Sequence, residues 1–224
     1  MVENKKRIAI IGGTGKEGKG LAYRWANAGY EVVIGSRSVE KAQFAATEIN
    51  QLLSKETLKV IGKDNLMAAS EAEIVVLTVP FNVHKEMLSL LKDALENKIL
   101  VDVTVPLVPP RVTKVQMPPA GSAALEAKAL LGKNTKLVSA FQNISYEKLL
   151  NNEDIECDVL VCGDKEAREQ IISMIHEIGL NAWDAGPIEN SVVSEGLTSI
   201  LIGINKQYGI QSAGIKITGI PGQL

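Results

Sequence analysis

Glycines near the amino-terminal end of the chain have the spacing of a phosphate-binding turn. Residues 13–18 read G-x-G-x-x-G, directly after the apolar run Ile8–Ile11 and just before a helical pattern. In this motif Gly13 permits the tight turn, Gly15 lets the backbone approach a pyrophosphate, and Gly18 lets the helix pack closely on the strand. The phosphates then contact free N–H groups at the helix N-terminus. Because the motif lies between a strand and a helix, it predicts a dinucleotide site rather than a merely glycine-rich turn.

The end of the second predicted strand indicates which dinucleotide is bound. Sites for NAD place Asp or Glu here to bind the ribose hydroxyls, whereas this chain has Ser36, Arg37 and Ser38. Lys41 lies in the first turn of the next helix, where the helix dipole disfavours a cation by about 0.3–1 kcal/mol, and a bound phosphate would reverse that balance. We therefore predict that Arg37 contacts the 2′-phosphate of NADP with help from Ser36 and Lys41. The alternative is a solvated loop arginine.

Composition excludes several classes of protein. With 224 residues, 46% hydrophobic and 22% charged, the chain can form one sizeable core and a smaller companion domain. The net charge of -2 does not favour nucleic acid as a partner. No segment has the length of a signal-peptide core or a membrane span, so we expect a cytoplasmic protein without a membrane partner. Cys157 and Cys162 should point to opposite faces of a strand and remain unpaired, which also fits a reducing cytoplasm.

Strand and helix patterns alternate along most of the chain. This alternation predicts an α/β fold: a Rossmann-type doubly wound parallel sheet with a smaller C-terminal α/β domain. We expect an NADP-binding domain over residues 1–144, and a domain over 145–224 that contributes to the pocket and to a dimer contact. The predicted strands are 7–11, 31–34, 58–61, 74–79, 99–105, 137–141, 158–162 and 180–183. The predicted helices are 15–28, 38–53, 65–70, 82–95, 122–131, 165–178 and 191–208.

Two segments outside the glycine turn also bear on ligand binding and assembly. Five prolines prevent periodic structure over residues 106–120, and this loop follows the carboxyl end of a predicted strand. Ligands bind at that edge of open α/β sheets, so we expect the loop to line a pocket rather than to be a surface excursion. The last helix carries Leu197, Ile200, Leu201 and Ile204 at helical spacing, which predicts packing on the first domain or on a second subunit.

Six motifs together resemble one family of redox enzymes. They lie at residues 12–15, 35–42, 77–80, 138–141, 161–164 and 184–187, and the resemblance runs from residue 7 to about residue 217. The chain is similar to the NADPH-dependent coenzyme F420 reductase family, also called F420H2:NADP oxidoreductase. The resemblance implies reversible hydride transfer between NADP(H) and a 5-deazaflavin, coenzyme F420, in a homodimer.

The resemblance also implies which residues bind each substrate. The NADP contacts correspond to the glycine turn, to the end of the second strand and to a segment near the nicotinamide: Gly13, Thr14, Gly15, Glu17, Gly18, Ser36, Arg37, Lys41, Thr78, Val79 and Pro80. The deazaflavin would lie over the nicotinamide against Val105, Pro106, Ala140, Phe141, Gln142, Asn143 and Ile144. Family members often have a histidine just after the position of Phe141, where this chain has Gln142 and Asn143. These amides could hydrogen-bond the amide edge of a heterocycle or serve another substrate.

Direct hydride transfer requires little from protein side chains. The two rings must stack at about 3–3.5 Å in a water-poor site, and the protein supplies proximity and orientation. We therefore predict no catalytic side chain. His84 either reaches the cofactor or has a surface or capping role, and we expect the latter. We expect a structural role for His176, and the two histidines and two cysteines do not form a credible metal site.

Two other functions remain open from the residues alone. One is NADPH-dependent reduction of a small carbonyl or imine, for which Asn205 and Lys206 on the last helix are the candidate proton donors; Lys206→Ala should then abolish turnover. The other is a non-catalytic NADP-binding module, which would bind NADPH without turnover.

Overall fold

The computed structural model describes residues 5–55, 57–150 and 154–219, which form one eight-stranded sheet with helices on both faces. The strands are β1 (Ile8–Ile11), β2 (Val32–Ser36), β3 (Ile61–Asp64), β4 (Ile74–Leu77), β5 (Ile99–Asp102), β6 (Lys136–Ser139), β7 (Asp158–Gly163) and β8 (Asn181–Asp184). The helices are α1 (Lys16–Asn27), α2 (Val39–Leu52), α3 (Asn65–Glu71), α4 (Phe81–Leu91), α5 (Ala123–Leu131), α6 (Lys165–His176) and α7 (Ser191–Tyr208). None of these helices is long and apolar enough to cross a bilayer.

The sheet confirms the predicted doubly wound α/β class, with one exception in strand direction. Its order is β3-β2-β1-β4-β5-β6-β7-β8, and the pairs from β3 to β6 are parallel, as is β7 with β8. The exception is the pair β6 and β7, which the sequence assigned to different domains and which pair antiparallel through Val138↔Gly163 and Ser139↔Cys162. A parallel pair needs a crossover connection, usually a helix. The described part of the connection between β6 and β7 contains only the short 3-10 turn Tyr146–Lys148.

Both faces of the sheet are packed against helices. Ile8 and Ile10 of β1 contact one hydrophobic cluster with α1, α2 and α6, while Ala9 and Ile11 contact a second cluster with α3, α4 and α5. This alternation explains why β1 is apolar at every position. The first cluster includes side chains from β7 and α6 as well as from β1 and α1, so packing continues across residue 144. The division into domains 1–144 and 145–224 stays a prediction.

Element boundaries differ from the predicted ones mainly where local polar contacts intervene. β3 begins at Ile61 rather than at residue 58, because the Asn50 side chain hydrogen-bonds both the N–H and the carbonyl of Val60 at 2.8 Å. β4 and β5 end at Leu77 and Asp102, shorter than predicted, and the chain after each strand faces the cavity described below. α7 has the predicted bounds. Cys157 and Cys162 are both buried and form no disulfide, as expected.

Candidate active site

A cavity of about 650 Å³ lies at the carboxyl edge of the parallel strands. Its walls come from the first turn of α1, the chain after β4, the chain after β5, residues 142–146 and one face of α7. The volume lies within the usual range for small-molecule sites. The proline-rich loop contributes Leu107, Pro109 and Val112, so this loop lines the cavity as predicted.

The glycine turn fits a pyrophosphate. A Cβ on Gly13 would lie 2.7 Å from the Ile10 carbonyl oxygen, and a Cβ on Gly18 would lie 2.7 Å from the Cα of Gly13. Gly15 is not required for packing within the protein, because a Cβ there would have only an ordinary contact of 3.6 Å with the Gly12 oxygen. Gly15 is also the N-cap of α1, and no side chain caps this helix. The first N–H groups of α1 are therefore left for an anion approaching over Gly15.

The end of β2 presents two cations to solvent. Ser36 is buried, and its hydroxyl accepts a hydrogen bond from the Ser38 N–H at 3.3 Å. Ser38 caps α2 by accepting from the Lys41 N–H at 3.3 Å. Arg37 and Lys41 are exposed, and neither forms an ion pair with a residue in the described ranges. Glu40 is the nearby anion, and its hydrogen bond from the Ser38 hydroxyl lowers the pKa of that carboxyl. The two cations thus remain available for a phosphate.

The segment after β4 is fixed against the glycine turn. Thr78 donates from both its N–H and its hydroxyl to the Ile11 carbonyl, each at 2.9 Å. Thr78, Val79 and Pro80 all line the cavity. The residues predicted to lie near the nicotinamide are therefore next to the predicted pyrophosphate turn.

The residues predicted to contact the second substrate divide into two groups. Val105, Gln142, Asn143 and Ile144 line the cavity. Pro106, Ala140 and Phe141 are buried and are not among the residues that line the cavity, so their contact with the substrate stays a prediction. Phe141 is fully buried with a backbone φ of 75°, and its ring packs edge-on against Trp25 at a centroid distance of 5.7 Å. Its side chain thus belongs to the core between α1 and the sheet.

The two amides that replace the family's histidine segment are oriented by their NH₂ groups. Gln142 Nε2 donates to the Asp102 carbonyl at 2.8 Å and to the Ser139 hydroxyl at 2.9 Å. Asn143 Nδ2 donates to the Asp158 carbonyl at 2.7 Å. The amide oxygens of both residues are buried and have no hydrogen-bond partner within the described ranges. Neither oxygen has accessible surface, so an N–H group of a heterocycle would reach it only after the side chain turns toward the cavity.

One wall of the cavity comes from α7, in the part of the chain that was expected to contribute to the pocket. α7 contributes Thr198, Leu201, Ile202 and Asn205, of which Leu201 also belongs to the apolar stripe predicted for packing. The Thr198 hydroxyl donates to the Gln142 carbonyl at 2.6 Å, which joins α7 to the amide segment. Lys206 is exposed and is not among the cavity residues, whereas Asn205 accepts from the Ala213 N–H at 2.8 Å. The alternative with Lys206 as proton donor is therefore not supported.

His84 is buried behind the cavity rather than on the surface, so its predicted surface or capping role was wrong. It lies on the same face of α4 as Met87, Leu88 and Leu91, which all pack into the core. Its Nε2 lies 2.7 Å from Asp102 Oδ2, and Asp102 Oδ1 accepts from the Thr104 N–H at 3.0 Å. Burial lowers the pKa of His84, but the charge and hydrogen bond of Asp102 outweigh burial, so the pKa is raised. The pair holds the chain after β5 in place.

His176 has the structural role that was predicted, although it is exposed near the end of α6. Its Nε2 accepts a hydrogen bond from the Ala182 N–H at 3.3 Å.

Glu195 ties α7 to the start of α5. Its carboxyl oxygens accept from the Ala123 and Ala124 N–H groups at 2.7 and 3.1 Å, so α5 is capped by a side chain of another helix. The Ser122 and Ser191 hydroxyls lie 2.7 Å apart beside it. Burial nevertheless raises the pKa of Glu195 to about 8, with the backbone hydrogen bonds opposing and the charges of Asp102 and Glu126 adding to that shift. The position of the α7 wall depends on this contact.

These features define a class of enzyme. A glycine turn open to a pyrophosphate, two free cations beyond β2 and an enclosed cavity at the carboxyl edge are typical of a Rossmann-type oxidoreductase that uses a nicotinamide dinucleotide. Residues 7–106 match the protein family described as NADP oxidoreductase, coenzyme F420-dependent. The chain belongs to this family, since curated relatives match it over nearly its whole length.

Two curated relatives and one solved structure illustrate the similarity. The F420-dependent NADP reductase of Methanocaldococcus jannaschii is 38% identical over 96% of this chain and 99% of the relative. The protein of the same name from Methanothermobacter marburgensis is 39% identical with the same coverage. A crystal structure of a chain from Arthrobacter sp. FB24 superposes with a TM-score of 0.78 at 25% identity, covering 96% of this chain and 100% of that one.

The raised pKa of Glu195 predicts a specific pH dependence of stability. A folded-state pKa above the unfolded value of 4.5 means that the folded protein binds more protons between about pH 4.5 and about pH 8. The free energy of unfolding should therefore fall as the pH rises from about 5 to about 8. Glu195→Gln cannot ionise, so its free energy of unfolding should fall less over this range. Urea unfolding at several pH values would measure both slopes.

The substitution has a second, pH-independent effect and needs a matched control. The amide of Glu195→Gln would point an NH₂ group at a backbone N–H, which should lower stability by about 1–3 kcal/mol at every pH. The raised pKa of His84 also stabilises the folded protein, and this stabilisation is lost as the pH rises above about 6.5. The loss is the same in the wild type and in Glu195→Gln, so it does not contribute to the difference between their slopes. Glu169→Gln, on the exposed face of α6, should keep the wild-type slope. Equal slopes for the wild type and Glu195→Gln would mean that the pKa of Glu195 is not raised in the folded protein.

Proposed function

We propose that this protein transfers a hydride reversibly between NADP(H) and coenzyme F420, a 5-deazaflavin. The observation that carries the proposal is one cavity lined together by Glu17 in the first turn of α1, by residues 78–80 and by the amide segment 142–144. Relatives named F420-dependent NADP reductases, 38–39% identical over 96% of the chain, support the same reaction.

The cavity suggests a role for each predicted group. The pyrophosphate of NADP would lie on the turn formed by residues 13–18, and the 2′-phosphate would contact Arg37 and Lys41 at the end of β2. The nicotinamide would lie against residues 78–80. The deazaflavin would stack on it beside Val105 and residues 142–144. Hydride transfer then depends on how these walls orient two rings and exclude water.

Mixing the purified protein with NADPH and oxidised coenzyme F420 tests the proposal directly. The visible absorbance of the deazaflavin should disappear at a rate proportional to enzyme concentration, and reduced deazaflavin with NADP⁺ should restore it. A cyclic imine and a small ketone, supplied with NADPH, serve as competing acceptors. Turnover of either one without loss of deazaflavin absorbance would contradict the proposal, as would tight NADPH binding with no turnover on any acceptor.

Arg37 should determine the preference for NADPH over NADH. Hydrogen bonds to charged groups contribute about 1.5–3 kcal/mol, so Arg37→Ala should raise the KM for NADPH about tenfold to a hundredfold. The KM for NADH should hardly change, because NADH has no 2′-phosphate. Lys133→Ala is a control, since Lys133 is exposed near the start of β6, away from the carboxyl edge. Equal effects of Arg37→Ala on both KM values would mean that Arg37 does not bind the 2′-phosphate.

We also propose a cytoplasmic homodimer in which α7 and residues 145–224 form the contact. Several apolar side chains on α7 are exposed, among them Val193 at 62% and Ile200 at 51%. Val108 and Val115 of the proline-rich loop are exposed as well, and this loop runs along α7, where the Ser199 hydroxyl donates to the Lys114 carbonyl at 3.5 Å. A contiguous exposed apolar patch of this kind favours a subunit contact. The two buried free thiols suit a reducing compartment.

Light scattering coupled to size-exclusion chromatography tests the dimer. The wild-type protein should elute with twice the mass of the 24.1 kDa chain. Ile200→Glu should give the mass of one chain, because it places a charge in the apolar contact. Phe44→Glu on α2 is the matched control: Phe44 is 67% exposed but lies outside the proposed contact, so this variant should remain dimeric. A monomeric wild-type protein would contradict the proposal.

A further inference from the structure

The cavity contains a single carboxyl group. Among the described residues that line it, only Glu17 and Tyr146 carry ionisable side chains; the others are apolar, hydroxyl or amide residues. Only the oxidised nicotinamide of the two reacting rings carries a positive charge, so charge pairing alone does not account for an acid that serves both directions of the reaction. Its position therefore suggests that it participates in the chemistry.

Glu17 lies next to the predicted pyrophosphate turn and also faces the cavity. It is in the first turn of α1 and lines the same cavity as Thr78 and Asn143. Its carboxyl group is partly buried and forms no hydrogen bond or ion pair with a residue in the described ranges. It is thus left facing whatever occupies the cavity.

The charged neighbours of Glu17 are directed to other partners. On α1, the Lys16 ammonium lies 3.9 Å from Glu147 and 4.8 Å from the centre of the Tyr146 ring. Lys19 is paired with Glu48 of α2 at 3.2 Å. No charged side chain of α4 or α7 lines the cavity. The state of Glu17 is therefore set mainly by its environment in the cavity and by the ligands.

The proposed reaction moves a proton as well as a hydride. When a reduced deazaflavin is oxidised, the C5–H bond breaks and its electron pair leaves with the hydrogen to form the C4–H bond of NADPH. The N1–H bond of the deazaflavin also breaks, and its electrons remain in the ring as a proton departs. In the reverse direction N1 must gain a proton. The two substrates balance the electrons, but one proton per turnover needs an acceptor or a donor.

We propose that the Glu17 carboxylate accepts the proton released from the reduced deazaflavin and that the Glu17 carboxylic acid returns it in the reverse direction. This inference rests on the proposed function. It assigns a catalytic residue where the sequence predicted only a cofactor contact.

The environment of Glu17 suits both roles. Burial raises the pKa of its carboxyl to about 8. The negative charges of a bound pyrophosphate would raise it further, since like charges disfavour ionisation. A group whose pKa lies near the working pH can exchange its proton in either direction, and general acid–base catalysis of this kind contributes about 10²–10⁴-fold.

Opposite pH profiles in the two directions test the assignment. Oxidation of the reduced deazaflavin requires the carboxylate, so kcat should rise with pH through about 8 or slightly above. Reduction of the deazaflavin by NADPH requires the acid, so kcat should fall over the same range. Glu17→Gln should lose this inflection in both directions and lower kcat by about 10²-fold. Its NADPH dissociation constant, measured by fluorescence below pH 7 where the Glu17 carboxyl is protonated, should change much less than kcat.

A measurement that does not depend on turnover completes the test. Infrared difference spectra of the NADP complex, recorded as the pH is raised, should show protonated carboxyl signals of both Glu17 and Glu195 that disappear near pH 8 or above. The Glu17 signal should be absent in Glu17→Gln and should remain in Glu195→Gln. Tyr146→Phe removes the other ionisable group of the cavity and should keep the pH inflection, whatever it does to the rate.

The possible results show whether the proposed function or only the role of Glu17 has failed. If the wild-type protein does not reduce the deazaflavin, the proposed function fails. If the wild type turns over and Glu17→Gln keeps both the rate and the inflection, only the role of Glu17 is overturned. Loss of the inflection in the pH dependence of kcat in Tyr146→Phe would also overturn the role of Glu17, because the inflection would then depend on Tyr146.

Discussion

The close contact between the glycine turn and the first helix is the constraint on which the cavity depends. A Cβ on Gly18 would lie 2.7 Å from the Cα of Gly13 and 2.8 Å from the Thr78 hydroxyl, so no side chain larger than hydrogen fits between β1, α1 and the chain after β4. This contact brings the first turn of α1 against the segment that follows β4. Glu17 and residues 78–80 consequently share one wall. The close approach of α1 to the glycine turn and to the chain after β4 thus places the predicted pyrophosphate site beside the predicted site for a flat ring.

The opposite wall depends on buried polar contacts rather than on close backbone packing. Glu195 accepts two N–H groups of α5, and Thr198, one turn further along α7, donates to the Gln142 carbonyl. Because unpaired polar groups are costly in a buried site, these contacts allow little freedom in where α7 lies. The antiparallel pairing of β6 and β7 brings the last third of the chain back beside β6. One enclosed cavity results, although its walls are far apart in sequence.

Whether a structural feature could be predicted from the sequence depends on how far apart in the chain its interacting residues lie. The glycine turn, the all-apolar β1 and the bounds of α7 depend on local pattern, and each was predicted from residues close in the chain. Three features were not predicted because they depend on partners far along the chain. His84 pairs with Asp102, Glu195 caps α5, and β7 reverses direction beside β6. Phe141 is instructive in another way: its place in a motif suggested contact with substrate, but its positive φ and Trp25 assign its ring to the core.

The distribution of charge suggests how two substrates share the site. The exposed cations Arg37 and Lys41 lie at the end of β2, whereas no lysine or arginine is among the described residues that line the cavity. An anionic nucleotide end and an uncharged ring end would thus meet different environments, which fixes the direction of the dinucleotide. Gln142 and Asn143 line the cavity and carry amides that do not titrate. They can orient a ring but cannot exchange a proton with it. The proposed roles therefore divide between two parts of the cavity: the amides after β6 would bind the second ring, and Glu17 in the first turn of α1 would exchange the proton.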